Sequence, residues 1–139
     1  MGIMHSTAVA VLVVATGMAG AAGVSAGAQP GTVFTADQAA AGEKQYQARC
    51  ASCHAPDLGG RDDAPALTGD AFMATWGAQT TKDLYDFVSS TMPPDGASLT
   101  EDEYLAVVAH MLRQNGAAAG SAPLTATTAV RVDTVTKPQ

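Results

Sequence analysis

Cys50-Ala51-Ser52-Cys53-His54 holds the only two cysteines of a 139-residue chain and sets a histidine directly behind them. Two thiols three residues apart can each add to one vinyl group of a single haem, and the adjacent imidazole then reaches the iron from one side of the ring. Other chemistries of this spacing are less well served. A structural zinc site needs two further ligands, and the remaining histidines are His5 and His110. A dithiol redox pair sits after a strand in a βαβ setting, and no segment here alternates at period two. A disulfide between Cys50 and Cys53 closes almost no loop and would add little stability.

Upstream of this motif, Phe34-Thr35-Ala36-Asp37-Gln38 reads as a capping box. The Thr35 hydroxyl can accept from the Gln38 N–H while the Gln38 side chain reaches back. A helix is expected from there towards Arg49, with Ala39, Gly42, Tyr46 and Cys50 on one face. A second helix is expected from near Thr80, presenting Leu84, Phe87, Val88 and Thr91. A third begins at Leu99-Thr100-Glu101-Asp102-Glu103, with a Thr cap, acids in the first turn, Glu at the box position and a Leu99–Tyr104 staple. Its apolar face is Leu105, Val108, Ala109 and Leu112, and Asn115-Gly116 is a stop signal. A short helical stretch fits Asp70 to Trp76. The expected class is all-α.

Ahead of the helices, Ala8 to Val24 carries no charge and trails into small residues, with export-type cleavage sites at Val24-Ser25-Ala26 and Ala26-Gly27-Ala28. The stretch is short and glycine-broken for a spanning helix of ~20 residues. Its n-region has only the α-amino group and His5 where a Lys or Arg is usual. The expected organisation is a cleaved signal over 1–28, a folded domain over 29–115 and an extended tail over 116–139, with an uncleaved anchor as the alternative. Export of this kind implies the bacterial periplasm. No membrane span is expected in the mature chain.

Hydrophobic residues make up 47% of the chain, but 29 of them are alanine, so the larger apolar side chains suffice for one small domain with an underfilled core. With 14% charged residues and few aromatics, a disordered acidic chain, a coiled coil and a multidomain enzyme are excluded. The net charge of −6 is opposite to that of a nucleic-acid binder.

The run Gly42-Glu43-Lys44-Gln45-Tyr46-Gln47-Ala48-Arg49-Cys50-Ala51-Ser52-Cys53-His54 resembles the start of a class I c-type cytochrome. Ala64-Pro65-Ala66-Leu67-Thr68-Gly69, Thr91-Met92-Pro93-Pro94 and the Glu103–Leu112 helix follow in the family's order. The phrases Leu84-Tyr85 and Met92-Pro93-Pro94-Asp95-Gly96 are most similar to cytochrome subunits and domains that accompany quinoprotein alcohol dehydrogenases. The resemblance implies three main helices with short helices and loops around one covalent haem c. It makes Cys50 and Cys53 the thioether sites, His54 the proximal iron ligand and Met92 the distal one. Pro65 would accept from the His54 ring through its carbonyl, and Leu67 would pack on the haem. Close crossing of the first and last helices is implied at Gly42 and Ala109.

Met92 also has a conformational argument, because Pro93 drives residue 92 out of the α region and Pro94 does the same to Pro93. Among its competitors, Met73 and Met111 fit helix packing, and His110 stands where the family usually has an aromatic residue. Trp76 could bond a haem propionate or fill the core. With both axial positions filled, the expected protein is not an enzyme but a monohaem carrier of single electrons between redox partners, a dehydrogenase or a terminal oxidase, as a monomer or within a hetero-complex. The alternatives are a tightly bound subunit of a quinoprotein dehydrogenase and a haem-based ligand sensor or peroxidase-like enzyme.

Overall fold

The computed structural model describes residues 1–2, 31–96 and 98–136. The expected export segment therefore lies outside the described residues, apart from Met1 and Gly2. Among the described residues, six helices follow in order: α1 Ala36–Arg49, α2 Ala51–His54, α3 Gly69–Trp76, α4 Thr81–Thr91, α5 Glu101–Gln114 and α6 Val132–Val135. Among the described residues there are isolated backbone bridges but no strands, so the fold is all-α as expected. No described helix is long and apolar enough to cross a membrane.

Capping sets the helix starts. The Thr35 hydroxyl accepts from Gln38 N–H at 3.2 Å, while Thr80–Asp83 and Thr100–Glu103 form complete capping boxes on α4 and α5. The box expected at Thr35 is only half made. The Gln38 side chain turns instead to Leu124, donating to its carbonyl at 2.9 Å and accepting from its N–H at 2.8 Å. A primary amide matches one residue's N–H and C=O together, and the returning C-terminal chain presents both.

The core is the crossing of α1 over α5. Ala39, Gly42 and Tyr46 of α1 are buried there, and α5 buries every residue from Tyr104 to Leu112. The tight approach is between Gly42 and the Ala106 carbonyl, where an added Cβ would lie 1.8 Å from the oxygen. Ala109, expected at that crossing, is buried one turn further along. On α4, Leu84 and Val88 face inward, but Phe87 is 46% exposed and Thr91 is also exposed. Positions 84, 87, 88 and 91 do share one helical face, but α4 buries the side of it that runs through Thr81, Leu84 and Val88, which leaves Phe87 and Thr91 towards its exposed edge.

The residues after Gly116 are mostly irregular and run back over the domain. Gly120 N–H donates to Phe34 O at 2.7 Å, Thr81 N–H to Val130 O at 2.8 Å, and Val132 N–H to Gln79 O at 3.0 Å. Leu124, Val132 and Val135 are buried. Val132–Val135 forms a helical turn inside the segment expected to be extended.

Candidate functional site

The two thiols are presented by the junction of α1 and α2. Cys50 closes α1 through its N–H to Tyr46 O at 2.8 Å and opens α2, where His54 N–H returns to Cys50 O at 2.9 Å. One helical turn places residues three apart on the same side, so Cys50 and Cys53 share a face. Both are free thiols, Cys50 half-buried and Cys53 exposed. Burial pushes the Cys50 thiol pKa up, with Arg49 opposing the shift.

His54 is buried, and its Nδ1 lies 2.8 Å from the Pro65 carbonyl oxygen. A carbonyl can only accept, so Nδ1 carries the proton and Nε2 of the neutral ring keeps its lone pair. Two free thiols on one face with a histidine oriented in this tautomer suit a covalently attached haem.

The loop from Ala55 to Leu67 is what brings Pro65 to His54. Tyr46 donates its phenol O–H to Ala55 O at 2.6 Å and reaches His54 O at 3.2 Å. Burial raises the phenol's pKa above its ordinary value. The clamp holds Ala55 at φ 63°, ψ 152°, a region otherwise nearly reserved for glycine. Gly60 donates to His54 O at 3.0 Å with φ +80°, and a Cβ there would stand 2.6 Å from Ala66 N and 2.8 Å from Ala64 O. Only glycine lets the loop fold back this closely. Leu67 is half-buried against the core; its N–H donates to Leu58 O at 2.8 Å, and its carbonyl accepts from Asn115 Nδ2 at 2.9 Å. Asn115, fully buried, also donates to Met111 O at 2.9 Å and accepts from Gly69 N–H at 3.1 Å.

Met92 stands one residue past α4, extended at φ −123°, ψ 145° and half-buried beside the core. Its N–H donates to Val88 O at 3.0 Å and its carbonyl accepts from the Tyr104 phenol at 2.8 Å. The peptide bond to Pro93 is cis. Trp76 is half-buried and packs at a tilt against Phe87, with ring centroids 5.2 Å apart. Of the competing sulfurs and imidazole, Met73 accepts from Thr136 Oγ1 at 3.5 Å, and Met111 is buried in α5. His110 is 2% exposed, lies 5.4 Å from the Tyr46 ring, and has no partner for either ring nitrogen among the described residues.

Four residues that build this site are not assigned to it by the sequence. Tyr46 read as a face residue, Tyr104 as a staple, Asn115 as a helix stop and Gly60 not at all. The Gly59-Gly60 pair was the one signal for a tight loop, whereas the targets of the two phenols and the amide are backbone groups that leave no mark in a sequence.

A helical domain built around C-x-x-C-H, with the motif's histidine oriented by a loop carbonyl, is a class I c-type cytochrome. Residues 37–111 match the family described as cytochrome c oxidase, cbb3-type, subunit III, and the chain belongs to that family of cytochrome c domains. No curated protein and no solved structure gives a match. The domain binds haem c covalently and transfers electrons.

Proposed function

We propose that this cytochrome is an exported, periplasmic monohaem carrier in which Cys50 and Cys53 hold the haem, and His54 and Met92 are the iron's axial ligands. The haem supplies an Fe(III)/Fe(II) couple that takes one electron at a time. The observation that carries the reading is the orientation of His54: the Pro65 carbonyl oxygen accepts from Nδ1 at 2.8 Å and leaves the Nε2 lone pair for the iron. Met92 supports it from the other side of the site. Its extended backbone lifts the thioether segment off the end of α4, and Tyr104 anchors that segment from α5. A neutral sulfur paired with a neutral imidazole favours the ferrous state and raises the potential. Leu67 and Trp76, both half-buried beside the core, are assigned to contacts with the macrocycle.

The partners in this reading are redox proteins, with a terminal oxidase as acceptor in keeping with the family's description. The second reading, a tightly held subunit of a quinoprotein dehydrogenase, is separated from it by native purification. A large subunit that stays bound through size exclusion favours the complex, and an isolated small haem protein favours the shuttle. The ligand assignment is tested by optical spectra of the periplasmic fraction across a redox titration. The long-wavelength sulfur–iron band of the ferric protein should be present and should vanish in Met92→Ala. Its absence from the unmodified protein would favour a ligand-binding haem.

A further inference from the structure

Phenols on the two crossed helices hold the backbone at or beside both candidate ligand residues: Tyr46 donates to the Ala55 carbonyl, next to His54, at 2.6 Å. Tyr46 of α1 reaches the His54 carbonyl at 3.2 Å, and Tyr104 of α5 donates to the Met92 carbonyl at 2.8 Å. The distal grip has the greater leverage. Met92 has left the helix, and the ψ of 145° turns its carbonyl out of the line of α4's own acceptors. Its N–H to Val88 O holds only the side towards α4. Beyond it the chain runs through Pro93, Pro94 and Gly96 before Thr100 restarts a helix. Tyr104 spans that loop from a firm base: it lies in the first turns of α5, which the Thr100–Glu103 box locks, and it is 8% exposed. The same helix is seated on α1 at the Gly42–Ala106 contact.

We propose that Tyr104 is the positioning residue for Met92, holding the thioether segment in place from α5 rather than leaving it to the end of α4. This inference rests on the reading of Met92 as the distal ligand. Together with Tyr46, which ties Ala55 beside His54, it makes the α1–α5 crossing a common base for the chain at both ligand residues. Tyr104→Phe keeps the ring and removes only the donor, so the segment loses its tie without a cavity opening beneath it. The thioether then competes less well against an added ligand.

The test uses the full-length holoprotein in its ferric form, titrated with imidazole while the sulfur–iron band is followed. Tyr104→Phe should bind imidazole about three- to tenfold more tightly than the unmodified protein, the range expected for losing one net hydrogen bond, and the band should weaken. Leu112→Val, on the same helix about 12 Å further along, lowers core stability without reaching Met92 and should titrate like the unmodified protein. An unchanged titration in Tyr104→Phe, or an equal rise in Leu112→Val, overturns the proposal. Met92→Ala distinguishes the two levels of the argument. If Met92→Ala tightens imidazole binding strongly while Tyr104→Phe is silent, the positioning role alone fails. If Met92→Ala itself titrates like the unmodified protein, the ligand assignment fails and the positioning role with it.

Discussion

Gly42 of α1 lies so close to the Ala106 carbonyl of α5 that a β-carbon on it would be 1.8 Å from the oxygen and 2.3 Å from the carbonyl carbon. Both are backbone atoms, which no rotamer change can move aside. Gly42→Ala must therefore push the two helices apart along the crossing that carries the core. The expected cost is at the upper end of overpacking, about 3 kcal/mol, which an Ala gains back only in part through its better helix propensity of ~1 kcal/mol. Denaturant unfolding of the holoprotein checks it; a variant within experimental error of the parent would refute the close crossing.

His110 is buried, with neither ring nitrogen bonded to any described residue. Burial lowers its pKa, Arg113 adds to the lowering, and Glu43 opposes it from across the Arg113–Glu43 ion pair at 2.8 Å. The Tyr46 ring against it stays a neutral phenol. An unfolded chain takes up a proton at this histidine near pH 6.5. Below that value the unfolded state binds more protons than the folded one. The stability is thus complete above about pH 6.5 and declines as the pH falls towards the lowered folded value. His110→Phe should flatten this acid-side slope and, by removing an unbonded buried imidazole, stabilise the protein by about 1 kcal/mol at pH 7. Thermal melts of both proteins between pH 5 and pH 8, a range that spans the ordinary histidine value, measure the difference; parallel curves would exclude His110 as the source.

Asn115 closes three hydrogen bonds from a fully buried position, to Leu67 O, Met111 O and Gly69 N–H. Replacing it with Ala leaves the Leu67 carbonyl and the Gly69 amide without this partner, at the mouth of the loop that carries Pro65. At ~1 kcal/mol per net bond, Asn115→Ala should cost about 2–3 kcal/mol. Amide hydrogen exchange should show faster exchange at Gly69, while the Thr80-capped start of α4 is unaffected.

The chain after Gly116 acts as a strap. Leu124 is 2% exposed and its backbone is paired twice by Gln38, while Val132 is wholly buried between Gln79 and Thr136 in the sequence of backbone bonds. Leu124→Ala and Val132→Ala should therefore behave as core truncations, costing about 2–4 and 1–3 kcal/mol. For a frayed end, both would be silent in the melting temperature.

Thr35, Thr80 and Thr100 could be read as helix starts because a cap is local, a hydroxyl serving an N–H three residues on. The C-x-x-C-H motif could be read because covalent attachment depends on spacing within one turn. Phe87 belongs to the apolar face of α4 by period, yet it is exposed because the packing neighbours lie on the Thr81–Leu84–Val88 side of that face, and only the tertiary contacts decide how a face is turned. The Gln38 amide has two acceptable partners, one local and one 86 residues away at Leu124, and only the fold selects the distant one.

By itself the sequence determined the chemistry: two thiols, an adjacent imidazole, a thioether in a proline-stiffened segment, and enough helix to surround one haem. Those are matters of residue type and short spacing. The tertiary structure decided how that chemistry is held. Pro65 lies 11 residues from His54, Tyr104 12 from Met92, and Asn115 48 from Leu67. In each pair at least one partner is a backbone carbonyl, a group common to all residues and therefore unmarked in the sequence. It acquires a specific role only when packing, here the Gly42–Ala106 crossing, brings one donor within reach of it.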